Sequence, residues 1–110
     1  MPIADLDLLQ GTLDLLILRT LRLGPLHGWA ISKRIHSLSS DALQVNQGSL
    51  YPALYRLEDR GWIVASPGVS EDGRRVKLYE LTDEGRRRAV DERKAWKLFS
   101  AAVNRLIEET

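Results

Sequence analysis

The chain has 110 residues, with sixteen Lys or Arg against fifteen Asp or Glu and a formal net charge of +1. That length makes one globular domain with one core, and the balanced charge excludes a histone-like polycation and an acidic solvating tail. There is no cysteine, which excludes disulfides, thiolate metal sites and a cysteine nucleophile. A local basic patch on a near-neutral protein still leaves nucleic-acid binding open. A chain this short buries only about two-thirds of its unfolded surface, so further burial against a partner subunit is expected to help. No apolar run approaches the roughly 18 residues that span a membrane. The richest stretch, 13–23, is broken by Asp14, Arg19 and Arg22, and residues 1–5 carry no basic segment of the kind that opens a signal peptide. The expected compartment is therefore cytoplasmic, with no membrane partner.

The first helix is expected over about 11–23. Leu9, Leu13, Leu16, Ile17 and Leu21 recur at helical spacing, while Leu15 and Leu18 point elsewhere. A helix apolar over most of its circumference needs more than one covering layer. Gly24-Pro25 stops it.

The second helix is expected over 28–38, with Ile31, Ile35 and Leu38 as its buried stripe and Ser32, Lys33, Arg34 and His36 opposite. The third begins near Asn46 and ends at Arg60-Gly61, with Leu50, Leu54 and Leu57 as the stripe. Asn46 and Ser49 are candidate N-caps. Pro52 places the first regular turn close to itself, and Gly61 is a suitable C-terminal stop.

Residues 62–66 and 74–81 read as two short strands. The turn between them is expected over 67–73, with Asp72-Gly73 as the hairpin signal. Thr82 then caps a last helix from Asp83 onward, whose Asp83 and Glu84 suit the positive end of its dipole. Trp96, Phe99, Val103 and Leu106 make a 3-4-3 seam like that of a coiled coil. At about 1.5 Å per residue this helix runs about 40 Å and overshoots the rest of the domain, so its seam needs a cover.

Three helices, a hairpin and a long helix give a mainly α fold with a small β-hairpin (α+β). The expected architecture is a winged helix-turn-helix over 1–82, joined in the same compact unit to a C-terminal dimerisation helix over 83–110. The arrangement is one commonly used to read duplex DNA.

Several strings fall in order on these elements. They are Gly11-Thr12-Leu13, Pro25-Leu26-His27-Gly28, Gly48-Ser49-Leu50-Tyr51-Pro52-Ala53-Leu54, Arg56-Leu57-Glu58, Gly61-Trp62-Ile63, Gly73-Arg74-Arg75 and Tyr79-Glu80-Leu81-Thr82-Asp83-Glu84-Gly85. As an ordered set the chain resembles the PadR-like transcriptional regulators, in particular their short, acidobacterial-type branch. The likeness covers the chain from Leu9 to about Leu106. Many relatives carry a tyrosine where this chain has Trp29. The resemblance implies a dimeric winged-helix repressor whose terminal helix pairs two subunits.

The start of the third helix is the expected reader of the major groove. Gln47, Ser49 and Tyr51 supply hydrogen-bonding groups in turns that face base edges in such readers. Gly48 lets the backbone approach phosphates, and Asn46 sits at the anion-favouring helix start. Asn46 and Ser49 can also be plain caps, and Tyr51 can equally be packing. Arg56 reaches either a phosphate or a surface acid nearby in sequence, Asp59 or the acids around Arg60. Arg74, Arg75 and Lys77 cluster on the hairpin, and the resemblance implies contacts to the DNA backbone or minor groove. Glu71 and Asp72 at the tip argue against deep insertion, since phosphate repels them. Lys33 and Arg34 lie on the helix that crosses the backbone in this motif.

Arg86, Arg87 and Arg88 look instead like a solvated face, because Asp83–Arg87, Glu84–Arg88 and Arg88–Glu92 are i,i+4 pairs. Leu9, Leu13 and Leu16 of the first helix join Trp96, Phe99, Val103 and Leu106 as expected dimer contacts. The resemblance also implies a second role for Trp96. In drug-sensing relatives a tryptophan at this point sandwiches a planar aromatic effector across the dimer axis. The plainer reading is dimer core.

His27 and His36 are the only histidines. Their spacing fits no metal motif and defines no catalytic triad, so neither enzyme activity, metal nor cofactor is expected. Double-stranded DNA and a second copy of the chain are the expected partners. A winged-helix module that binds protein instead of DNA is the alternative.

Overall fold

The computed structural model describes residues 4–5 and 10–109. In chain order the elements are β1 (Ala4–Asp5), α1 (Gln10–Thr20) with a 3-10 turn (Leu21–Leu23), α2 (Gly28–Leu38), β2 (Leu43–Gln44), α3 (Gln47–Asp59), β3 (Ile63–Val69), β4 (Arg75–Leu81) and α4 (Asp83–Glu108). β1 and β2 form a short parallel pair. β3 and β4 form the antiparallel hairpin, with Ile63 opposite Leu81 and Val69 opposite Arg75. Leu26 adds a third rung through reciprocal bonds with Tyr79: its N–H donates to the Tyr79 carbonyl at 3.0 Å, and the Tyr79 N–H returns to Leu26 at 2.9 Å. That bridge fixes the root of α2 beside β4. The fold is the expected α+β winged helix.

The caps of α3 and α4 follow the sequence signals, and His27 adds one at α2. His27, Asn46 and Thr82 cap α2, α3 and α4 by accepting the N–H of Ala30, Ser49 and Gly85. Each satisfies a donor that the helix itself leaves orphaned. α3 closes in a Schellman motif: Gly61, with φ +77°, donates to the Glu58 carbonyl and Trp62 donates to Leu57.

The core gathers Leu13, Ile17, Leu18 and Leu21 from the first helical stretch against Ile31, Ile35, Leu50, Leu54 and Leu57. Burial of α1 on nearly every side matches its all-round apolarity. α4 has 26 residues, about 39 Å at helical rise, and Ala89 is its last buried residue. The remainder projects, and the long axis of the molecule reaches 53 Å.

Four expectations need correction. The α-helix ends at Thr20 and tightens into a 3-10 turn rather than running to Leu23. Leu38 does not complete the α2 stripe; it is 67% exposed at the helix end. Pro67 and Gly68 belong to β3 and pair with Lys77 and Val76. Proline is tolerated there because β3 pairs with β4 only, and a strand open on one side can lack a donor. Leu13 is 1% exposed and packs wholly inside its own chain, so it has no surface to offer a partner.

Candidate nucleic-acid interface

The bridge between Leu26 and Tyr79 brings the first turns of α2 and the returning strand β4 to opposite sides of one open cleft of about 1250 Å³. Lys33 and Arg34 line it from α2, and Arg74, Arg75 and Lys77 line it from the hairpin. Among the described residues, Glu71 and Asp72 are its only acids. Five cations against two carboxylates concentrate a positive field that the net charge of +1 conceals.

Strand alternation explains the wing. Arg75, Lys77, Tyr79 and Leu81 lie on one face of β4. Tyr79 and Leu81 are buried at the root, while Arg75 and Lys77 extend beyond the core into the cleft. Lys77 Nζ stays 5.9 Å from the Tyr79 ring. Arg74 is held differently: its Nε lies 3.4 Å from Asp72. Asp72 also accepts from the Ser70 hydroxyl, so the tip is internally tied.

On the opposite wall, the Trp29 ring lies nearly parallel to that of His27, with interplanar angle 10° and centroids 6.4 Å apart. Lys33 Nζ sits 4.4 Å from the Trp29 centroid. Tyr51, from α3, reaches the same cleft and lies against Gly28. Asn46, Gln47 and Gly48 are exposed at the start of α3, and Ser49 is half-buried there. Asn46 Oδ1 is spent on the cap, at 2.9 Å from the Ser49 N–H. Cleft and helix start are linked through Tyr51.

Arg56 is not brought to this surface. Its guanidinium pairs with Asp14 of α1 at 2.9 Å, and Arg60 joins the same carboxylate at 3.4 Å. The partner lies 42 residues away in sequence, and is neither a phosphate nor one of the acids close to Arg56 along the chain. Arg88 makes the expected i,i+4 pair with Glu92 and adds a contact the spacing did not show. Its guanidinium carbon lies 4.4 Å from the Trp62 ring centroid, and it meets Glu92 at 3.9 Å.

Trp96, 41% exposed, and Phe99, 60% exposed, form a tilted pair with centroids 6.0 Å apart on the projecting part of α4. Leu106 is exposed and Val103 half-buried beside them. Leu98 and Ile107 are exposed too, so the apolar face is wider than the four-residue seam. Leu16 packs partly on the core. Leu9 lies outside the described residues. Among those residues, no helix is long and apolar enough to cross a membrane, and no group of three His, Cys, Asp or Glu is placed to hold a metal.

These features define a winged-helix protein with a basic cleft beside its third helix. Residues 17–91 match the transcriptional regulator PadR-like family, and the chain belongs to that family. A solved transcriptional regulator from Clostridium thermocellum superposes with TM-score 0.81 at 29% identity, covering 94% of this chain and 97% of its own. A PadR family transcriptional regulator from Eggerthella lenta gives 0.75 at 31% identity over 96% and 89%. Transcriptional regulator Rv3488 of Mycobacterium tuberculosis is 40% identical over 58 residues, 53% of each chain.

Proposed function

We propose that this transcriptional regulator acts as a homodimeric repressor that binds duplex DNA, with the start of α3 in the major groove and the wing on the flanking backbone. The observation that carries the reading is the cleft, where cations of α2 and β4 face each other beside the exposed turn at Asn46, Gln47 and Gly48. Lys33, Arg75 and Lys77 would hold phosphate, while Gln47, Ser49 and Tyr51 would discriminate sequence. Arg74 would serve less, because Asp72 already partly neutralises it.

The exposed face at Trp96, Phe99 and Leu106 supports pairing through α4. Two-fold symmetry then asks for half-sites about 34–36 Å apart on a pseudo-palindrome. In such a dimer, Trp96 beside Phe99 offers aromatic surface to a planar effector; this is a second reading of the same interface, supported by the tilted pair. The protein would then work in the cytoplasm, where its DNA is.

The test is fluorescence anisotropy on a duplex from the gene's own upstream region beside a scrambled duplex, at low and physiological salt. Tight native binding that survives salt, with weak salt-labile binding to the scramble, is expected. Arg75→Ala should weaken both and flatten the salt slope by about one. Equal salt-labile binding to both duplexes, with a slope that Arg75→Ala leaves unchanged, favours a protein-binding module.

A further inference from the structure

Trp62 lies two residues beyond Arg60, the C-cap of α3, and it is only 9% exposed. Two guanidiniums lie against its indole: Arg60, from the end of α3, at 5.0 Å from the centroid, and Arg88, from the second turn of α4, at 4.4 Å. Arg60 continues to Asp14, which also takes Arg56. Arg88 continues to Glu92. A chain of charged and aromatic contacts thus runs from the last turn of α3, across α1, to α4.

The backbone is joined at the same place. The Thr82 N–H donates to the Trp62 carbonyl at 3.1 Å, and its hydroxyl donates to the Gly61 carbonyl at 2.6 Å. Arg88 Nε is buried and makes no hydrogen bond among the described residues. Its guanidinium lines a recess of about 620 Å³ with Asp14, Arg60 and Glu92. An apolar side chain would cover Trp62 without burying an unpaired donor. The cation–aromatic stack is what the arginine adds.

We propose that Arg88 is a positioning residue: stacked on Trp62, it fixes the direction in which α4 leaves the domain relative to α3, and so sets the distance at which a dimer presents its two α3 helices. This rests on the reading of the chain as an α4-paired dimer that reads DNA with α3. Leverage makes the contact consequential. From Arg88 to Glu108 the helix runs about 30 Å. A swing of about 10° at the stack would move its far end by about 5 Å, more than the roughly 3.4 Å spacing of successive base pairs. A dimer that discriminates half-site spacing therefore needs this joint stiff.

The experiment selects binders from a pool of duplexes randomised over a long central window, using the full chain, Arg88→Met and Arg88→Lys. Methionine keeps an apolar cover on Trp62 and removes the planar cation; lysine keeps charge without the plane. Wild type should recover paired half-sites at one spacing. Arg88→Met should recover the same half-sites spread over several spacings, with affinity for a single half-site within about twofold of wild type. Arg88→Lys should fall between. A single unchanged spacing with Arg88→Met overturns the proposal, as does a loss of half-site affinity without a change in spacing.

A second measurement needs no DNA. In a double-mutant cycle of Arg60→Gln with Arg88→Met, read by urea midpoints, the two changes should be clearly non-additive. Additivity overturns the link even if spacing shifts. If wild type enriches no half-site at all, the DNA reading falls and takes the spacing role with it; non-additivity in the cycle would then show that the failure lay with that reading, because the joint itself is present.

Discussion

The phenol of Tyr51 rests on the bare backbone of Gly28. A Cβ on Gly28 would lie 2.8 Å from the Tyr51 hydroxyl oxygen and 3.1 Å from Cζ. The contact joins the first turn of α2 to α3 at one end of the basic cleft. Gly28→Ala should push the ring outward. The ring is exposed enough to yield, so the cost should be about 1 kcal/mol, at the lower end for an inserted methyl. In a Tyr51→Ala background the same change should cost almost nothing. Urea unfolding of the four chains checks this, and equal costs in both backgrounds would remove the contact from the account.

Gly85 is a different case, because its neighbour cannot move aside. A Cβ there would fall onto the backbone carbonyl of Trp62. The backbone at this point is also held by the Thr82 bonds to Gly61 and Trp62. Gly85→Ala should therefore lift the start of α4 from the Trp62 backbone and cost about 3 kcal/mol, the upper range for overpacking. Thermal or urea unfolding measures it. A loss below about 1 kcal/mol would mean that α4 sits more loosely than this packing implies.

Arg56 separates a stability role from a DNA role. Its guanidinium is held by Asp14, and both side chains are partly exposed, so solvent screens the pair. Arg56→Ala should cost about 1 kcal/mol of stability and leave the salt slope of DNA binding unchanged. A slope reduced by about one would instead place Arg56 on a phosphate.

What the sequence made legible was local. Asn46, Thr82 and Gly61 signal helix ends through bonds to residues three positions away, so spacing alone exposes them. The wing cations were visible as a cluster for the same reason. Leu38 misled because a stripe residue in the last turn of a helix can run past the edge of the core. Leu13 misled because an all-round apolar helix does not say which side its own chain covers. The Asp14 pairings and the Arg88 stack on Trp62 join elements 26 to 46 residues apart. No periodicity within one helix reports such a contact. Arg88 in particular reads as a solvated i,i+4 partner until its neighbour across the fold is known.

Tyr79 gives the fold an alkaline limit. Burial, reinforced by Glu58 and by Tyr51 and Tyr55, pushes its phenol above the ordinary value of 10.0. The ionised form is the charged one, so the folded chain holds this proton to higher pH than the unfolded chain does. Between the two values the unfolded state binds fewer protons, and stability must fall as pH rises. The contribution is fully present below about pH 10 and is lost as pH climbs through the raised folded value. Urea unfolding between pH 8 and about 11.5 should show that decline in the wild type. Tyr79→Phe has no proton to release and should decline less steeply over the same interval. Because Glu58, Tyr51 and Tyr55 remain in both chains, the difference between the two slopes belongs to Tyr79, and identical slopes would show that its ring is more open to water than the packing implies.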